Sequence, residues 1–268
     1  MSIVVSALYS YPVKSLRGHD QDSTRITSWG PDRDRRWMVV DDNGRFMTQR
    51  QLPQMCRIGA SYRGNDICLW HLDAPAEAIE VCLAGSEKER QVGVWEDNCT
   101  ALDAGDAAAA WLSDQLGVSL RLCYMPDYSC RQVDLRFAER GDRLGFADGF
   151  PFLLCNEASL QQLSSGLGRN LDIQRFRPNI VISGAAPFAE DDWRRIRVGG
   201  IEFDVVKPCA RCAIPTVNLD DASREPDVFR LLKTHRQRGD DVYFGQNMIH
   251  RGEGEIKLGD AVEVLALN

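Results

Sequence analysis

In the stretch "RRWMVVDDNGRFMTQRQ" the dipeptide Asn43-Gly44 interrupts two strand-like runs. Asn-Gly between such runs is the strongest short-range signal of a β-hairpin, because both residues tolerate the positive φ that a tight reversal needs. The surrounding sequence repeats the theme. "IVVSALYSYPV", "NDICLWHL" and "AIEVCLA" are short, rich in β-branched and aromatic residues, and separated by Gly, Asn and Pro. The chain therefore opens as a β-rich unit.

A change of period ends that unit. In "DAGDAAAAWLSDQLG" Trp111, Leu112 and Leu116 share a helical face, Asp106 is the expected cap and Gly117 the expected stop. The polar stretch "PDYSCRQVDLRFAERGDRLGFADG" follows, with no sustained period, and reads as a long loop with a site expected near its end. Beyond it, "NEASLQQLSSGLG" predicts a short helix capped by Asn156, and "RPNIVISG" a buried strand. "RIRVGGIEFDVVKPC" predicts a hairpin, residues 223 to 236 a helix with Pro226 in its first turn, and "GEIKL" and "AVEVLAL" two last strands turned at Gly259-Asp260. The expected fold is α+β and strand-dominated, in two domains, residues 1–122 and residues 123–268.

With 268 residues, 44% hydrophobic, the chain is long enough to bury a substantial core. A net charge of -7 argues against a general nucleic-acid or anionic-membrane surface, which would need a whole face of Lys and Arg. No run approaches the roughly 20 apolar residues of a membrane helix, and the first residues lack a basic region followed by an apolar one. The expectation is a cytoplasmic protein that binds neither nucleic acid nor membrane.

Nine cysteines are then expected as free thiols. Cys56, Cys68, Cys82, Cys99, Cys123, Cys130 and Cys155 occur singly and read as small buried hydrophobes. Cys209 and Cys212 differ, standing three apart in "VVKPCARCAIPTVNLDD". A zinc ribbon would need a second such knuckle. A redox pair belongs at a helix N-terminus, whereas "AIPTVNL" reads as a strand. Two inert cysteines in a turn, or one thiolate ligand for a soft, open-sited metal with Lys207 and Arg211 beside it, both remain compatible with the spacing.

"YPVKSLRG", "RDRRWMVVDDNGRFMTQRQLP", "FPFLLCNEASL", "FRPNIVISG", "WRRIRVGG", "KPCARC", "FGQN" and "GEIKLGDAVEVL" occur here in an order and spacing that resembles the MOSC family, the molybdenum cofactor sulfurase C-terminal domain with its N-terminal β-barrel partner. The nearest branch looks like the mitochondrial amidoxime-reducing component and its bacterial relatives. The resemblance implies a molybdenum cofactor, Mo-molybdopterin, with Cys212 as the metal's ligand and catalytic centre and Cys209 as a mere neighbour. It implies a β-barrel-like N-terminal domain followed by a C-terminal MOSC β-barrel domain, and cofactor contacts from Lys14, Ser15, Arg35, Arg177 and Asn179. Thr48 and Arg50 match as contacts or as packing, and Asp148 and Gly149 match the stretch approaching the cofactor. Arg211, between the two cysteines, and Asn247 complete the set; relatives of the animal type carry tyrosine at the position of Asn247, and some carry serine at that of Ala210.

The activity implied is two-electron reduction of small N-hydroxylated compounds, with protons arriving through water or Asp148. Longer relatives append a ferredoxin-like domain, so electrons are expected from a separate donor of ferredoxin or flavoprotein reductase type. A different class of function uses the same thiol: a sulfur or molybdenum-cofactor carrier holding a persulfide on Cys212.

Overall fold

The computed structural model describes residues 2–83 and 88–268, so Ala84, the last residue of the expected strand "AIEVCLA", lies outside the described residues. The largest sheet runs in the order Val262–Leu267, Trp193–Val198, Ile201–Ala210, Asp241–His250, Phe152–Asn156, Ile180–Ser183, Val4–Ser10, His19–Gln21. Alternation drives it. In Ile201–Ala210, Ile201, Phe203 and Val205 turn inward and Glu202 and Asp204 do not, the period of two that covers one face of a strand. Phe152–Asn156 is buried at every position and occupies the middle of the sheet, as a continuous apolar run requires. It pairs parallel with Ile180–Ser183, and helix Glu157–Leu167 lies in the connection between them. The two ends of the sheet approach each other. Val4 bridges Ala261, and the Val5 N–H donates to Asp260 O at 2.9 Å.

The first half of the chain builds a five-stranded sheet, ordered Glu89–Val94, Asp97–Asp103, Arg121–Tyr124, Trp37–Val40, Val13–Lys14. A three-stranded sheet, Ile58–Arg63, Asp66–His71 and Ala74–Val81, stands beside it, and helix Asp106–Leu116 packs Leu112 into their common core. Between Ser10 and Val13 the chain passes from the large sheet to the five-stranded one. Lys14 and Ser15 therefore stand where the two bodies of the fold meet. The fold is α+β and strand-dominated, with three α-helices among the described residues. Among the described residues no helix is long and apolar enough to cross a membrane.

Most expected elements form where the sequence placed them, and five details differ. Gly44 turns the chain with φ 76°, and Asp41 Oδ1 accepts from the N–H groups of Asn43 and Arg45. The returning arm, however, keeps only an isolated bridge between Phe46 and Val40, because Gly93 draws it away through bonds to Gly44 and Phe46. The stretch after Cys212 is not a strand. Ile214–Thr216 closes a 3-10 turn, with Pro215 in its first turn and the Thr216 hydroxyl donating to Ala213 O at 2.7 Å. Gly105 precedes the first helix, so Asp106 lies inside it and pairs with Arg121. Gly254–Lys257 and Val262–Leu267 join different sheets rather than each other, since each finds a partner elsewhere: Ser23–Thr27 for the former, Trp193–Val198 for the latter. Cys82 and Cys130 are exposed, whereas the other five single cysteines are buried, with Cys56, Cys99, Cys123 and Cys155 in apolar clusters. Cys56, Cys68, Cys99, Cys123, Cys130, Cys155, Cys209 and Cys212 form no disulfide.

Candidate functional site

A cavity of about 420 Å³ opens where the two bodies meet. Lys14, Ser15, Arg35, Thr48, Arg50, Asp148, Gly149, Arg177, Asn179, Arg211, Cys212 and Asn247 all line it. They arrive from seven separated stretches of chain. Trp95, Arg175, Phe176 and Lys207 complete much of the wall.

The backbone is unusual here. Of seven non-glycine residues with positive φ among the described residues, four line the cavity: Ser15 at 66°, Arg35 at 49°, Trp95 at 55° and Arg177 at 57°. Such conformations persist where the surroundings over-determine them, and they collect at functional sites. Gly145 shows how closely the chain is folded. A Cβ there would sit 2.6 Å from Arg35 O, the atom that accepts from the Phe146 N–H at 2.7 Å.

Two guanidinium groups cover Tyr11, Arg35 at 4.5 Å and Arg177 at 4.2 Å from the ring centroid. Arg35 is held by Asp34, by Asn179 Oδ1 at 3.2 Å and by Arg177 O at 3.1 Å. Asn179 also accepts from the Leu153 N–H, so its amide oxygen serves to orient Arg35. Arg177 donates to Leu16 O at 2.7 Å, and burial, with Arg35 close by, lowers its pKa to about 10. Arg211 donates to Phe244 O and Phe176 O.

Lys14 is buried, donates to Phe146 O at 2.8 Å and is ion-paired with Asp148. Burial lowers its pKa to about 8 against the opposing pull of that carboxylate. Partial desolvation at the cavity would raise Asp148, whose side chain still meets solvent, yet the Lys14 charge and hydrogen bond outweigh it and hold the carboxyl below the usual range. Asp148 is the counter-ion of Lys14. Arg131, buried and bonded to Gly145 O, Ala147 O and Asp148 O, fixes the backbone that presents it.

Lys14, Arg35, Arg50, Arg175, Arg177, Lys207 and Arg211 face the single carboxylate Asp148 around this cavity. In a chain of net charge -7 this is a local concentration of positive field that attracts anions. Three donors in it have no partner: Arg175 Nε, Arg177 Nη2 and Arg211 Nη2 are buried and unbonded. Buried N–H groups without acceptors are costly unless a ligand meets them. Among the described residues no group of His, Cys, Asp and Glu forms a metal cage.

Cys212 is half-buried at the wall, and the cation at its sulfur is Arg50, with Nη1 3.7 Å from Sγ. Lys207 lies over the rings of Phe137 and Phe150, and Arg211 is engaged by carbonyls, so neither expected neighbour fills that place. Cys209 packs against an apolar cluster, and burial raises its pKa. Asn247 reaches Lys207 O and Pro208 O, both at 3.4 Å. Thr48 accepts from the Arg50 N–H and is bonded to Gln51, a turn that aims Arg50 at the cysteine. Sequence reasoning missed Trp95 and Arg175. The signal for Trp95 was a large aromatic in the turn of "VWEDN".

The cleft between the two β-rich bodies is cationic, strained in backbone and lined by both Cys209 and Cys212, features that suit a polyanionic ligand beside a soft donor. Residues 2–119 match the MOSC N-terminal beta barrel domain and residues 141–263 the MOSC domain. The chain belongs to the MOSC family. It is 31% identical to mouse mitochondrial amidoxime-reducing component 1, over 97% of this chain and 82% of that one, and 30% identical to the human protein of that name over the same shares. It is also 30% identical to zebrafish molybdenum cofactor sulfurase, over 93% of this chain but 32% of the larger protein.

Proposed function

We propose that the chain binds a molybdenum-pterin cofactor in this cavity and reduces small N-hydroxylated compounds, with Cys212 as the protein ligand to the metal. Electrons come from a separate donor of ferredoxin or flavoprotein reductase type, and the cofactor lies between domains 1–122 and 123–268. The observation that carries the reading is the trio of buried, unbonded guanidinium N–H groups in a cavity that also opens onto a cysteine. A pterin ending in a phosphate presents many acceptors, and arginine's planar fork suits them. Thiolate sulfur suits molybdenum.

When bound, the group supplies two-electron chemistry at a metal able to accept oxygen. Arg177 and Arg211 offer their free N–H groups to anionic or carbonyl oxygens of the pterin, and Lys14 adds a point charge. Arg35, itself held by Asn179, positions Arg177 through its carbonyl and through the shared Tyr11 ring. Arg50 holds positive charge against the sulfur of Cys212. Support also comes from the likeness to the amidoxime-reducing components.

The test is direct. Protein purified from cells that make molybdenum cofactor is expected to carry molybdenum and pterin near one per chain and to reduce benzamidoxime with an artificial low-potential reductant. Protein without molybdenum from such cells sinks the reading. The likeness to a molybdenum cofactor sulfurase favours a second reading, a sulfur or cofactor carrier using a persulfide on Cys212. That reading requires a mass gain of one sulfur on Cys212 and no turnover of amidoximes.

A further inference from the structure

Trp95 occupies a backbone position that local chemistry assigns to other residues. Strands Glu89–Val94 and Asp97–Asp103 pair with Val94 opposite Asp97, which leaves Trp95 and Glu96 as a two-residue hairpin loop. Tight loops of this kind need positive φ, and Gly, Asn or Asp adopt it with little strain. Trp95 adopts it with φ 55°. For a bulky side chain this is an outlier, and an outlier held in place points to a use.

The strain sets an indole at the cavity rim. Trp95 is 42% exposed, and among the described residues it is the one exposed large apolar side chain that lines the cavity. Its Nε1 donates to Asp148 Oδ1 at 3.2 Å, the Arg50 guanidinium lies 4.6 Å from its ring centroid, and Phe46 packs at 5.2 Å. That same Arg50 reaches Cys212 Sγ at 3.7 Å. One guanidinium therefore separates the indole from the sulfur. The unbonded donors of Arg175, Arg177 and Arg211 are buried, whereas Trp95 meets solvent. The rim ring thus faces what enters and leaves rather than what stays.

We infer that Trp95 is a specificity-determining residue that favours planar aromatic or heteroaromatic N-hydroxylated substrates, their ring stacking on the indole while the N–OH group points toward Cys212. The inference rests on the reading of the cavity as an N-hydroxy reductase site. Stacking on an aromatic tolerates many rings and selects against substrates that have none.

The experiment uses the cofactor-loaded protein and two variants. Trp95→Asn relieves the backbone strain and removes the ring; Trp95→Phe keeps a ring. For Trp95→Asn the expected results are a melting temperature equal to or above wild type, undiminished molybdenum and pterin, and benzamidoxime binding weakened about tenfold in calorimetry without reductant. The ratio of kcat/KM for benzamidoxime to that for acetamidoxime is expected to fall about tenfold, through KM rather than kcat, while Trp95→Phe keeps most of it. An unchanged ratio, equal losses on both amidoximes, or loss of cofactor in Trp95→Asn overturns the inference, the last by assigning the ring to the cofactor. A wild-type protein that holds cofactor yet reduces neither amidoxime overturns the reductase reading instead, and the calorimetric comparison then still decides whether Trp95 binds the aromatic ring.

Discussion

Arg50 Nη1 lies 3.7 Å from the Sγ of Cys212, a contact across 162 residues of chain that joins the turn after the first hairpin to the segment following strand Ile201–Ala210. It distinguishes Cys212 from Cys209, which sits against apolar side chains with its thiol pKa raised by burial.

The two cysteines are therefore expected to separate on mutation. Cys212→Ser exchanges a soft donor for a harder hydroxyl, so N-hydroxy reduction should fall drastically and the molybdenum paramagnetic resonance spectrum should change. Cys209→Ser should cost about 1 kcal/mol of stability and leave the spectrum nearly unaltered. Equal losses in both variants would refute the assignment of the ligand to Cys212.

Lys14 makes the site sensitive to pH in a direction that can be worked out. Its pKa falls from 10.5 to about 8 on folding. Below about pH 8 both folded and unfolded chains hold the proton, and the cost of burying the ammonium is present in full. Between about pH 8 and 10.5 the unfolded chain binds more protons, so cofactor-free protein should gain stability with rising pH relative to Lys14→Met. Anion binding should run the other way, because the charge is lost above about pH 8. Pyrophosphate titrations at about pH 6.5 and about pH 9.5 check this; a ratio of affinities no larger in wild type than in Lys14→Met rejects it.

Gly145 touches the site only through backbone. Gly145→Ala places a Cβ 2.6 Å from Arg35 O, so the variant should lose about 1–3 kcal/mol and bind pyrophosphate more weakly as Arg35 shifts. Denaturant unfolding and the same titration test it, and wild-type values in both show that the backbone gives way without moving Arg35.

The donor of electrons is expected to be a protein. Purified chain should turn over with a low-potential artificial reductant and not with NADH alone, since no Gly-rich nucleotide loop opens a helix in this sequence. Sustained turnover with NADH and no added protein contradicts the requirement for a donor.

Much of the local structure was legible in the residues themselves. The turn at Asn43-Gly44, the Asn156 side chain accepting from the Ala158 N–H, and the stop of the first helix at Gly117 with φ 73° each depend on groups within a few residues of one another. Where local bonds competed, the sequence reading failed: Pro215 and the Thr216 hydroxyl close a 3-10 turn in a stretch whose β-branched residues suggest a strand. The strand from Phe46 was lost for the opposite reason, to a distant competitor, Gly93.

The likeness of motifs points to twelve residues of the cavity wall, though not to Trp95 or Arg175, and carries no information about which of them touch. Sheet order decided that. Residues 4–10 pair in the large sheet and residues 13–14 in the other, which delivers Lys14 to Asp148 across 134 residues. The same packing leaves Arg177 and Arg211 with unbonded donors and lifts Trp95 into a strained turn at the rim. A side chain's hydrogen-bond partners, its burial and hence its pKa belong to the assembled neighbourhood, and no periodicity in the chain encodes them. The sequence by itself determined most turns, helix ends and strand runs, because those rest on neighbours a few residues away; only the tertiary structure decided the fate of the arm from Phe46 and that Arg50, Trp95 and Cys212 share one wall, because those contacts depend on how two sheets meet.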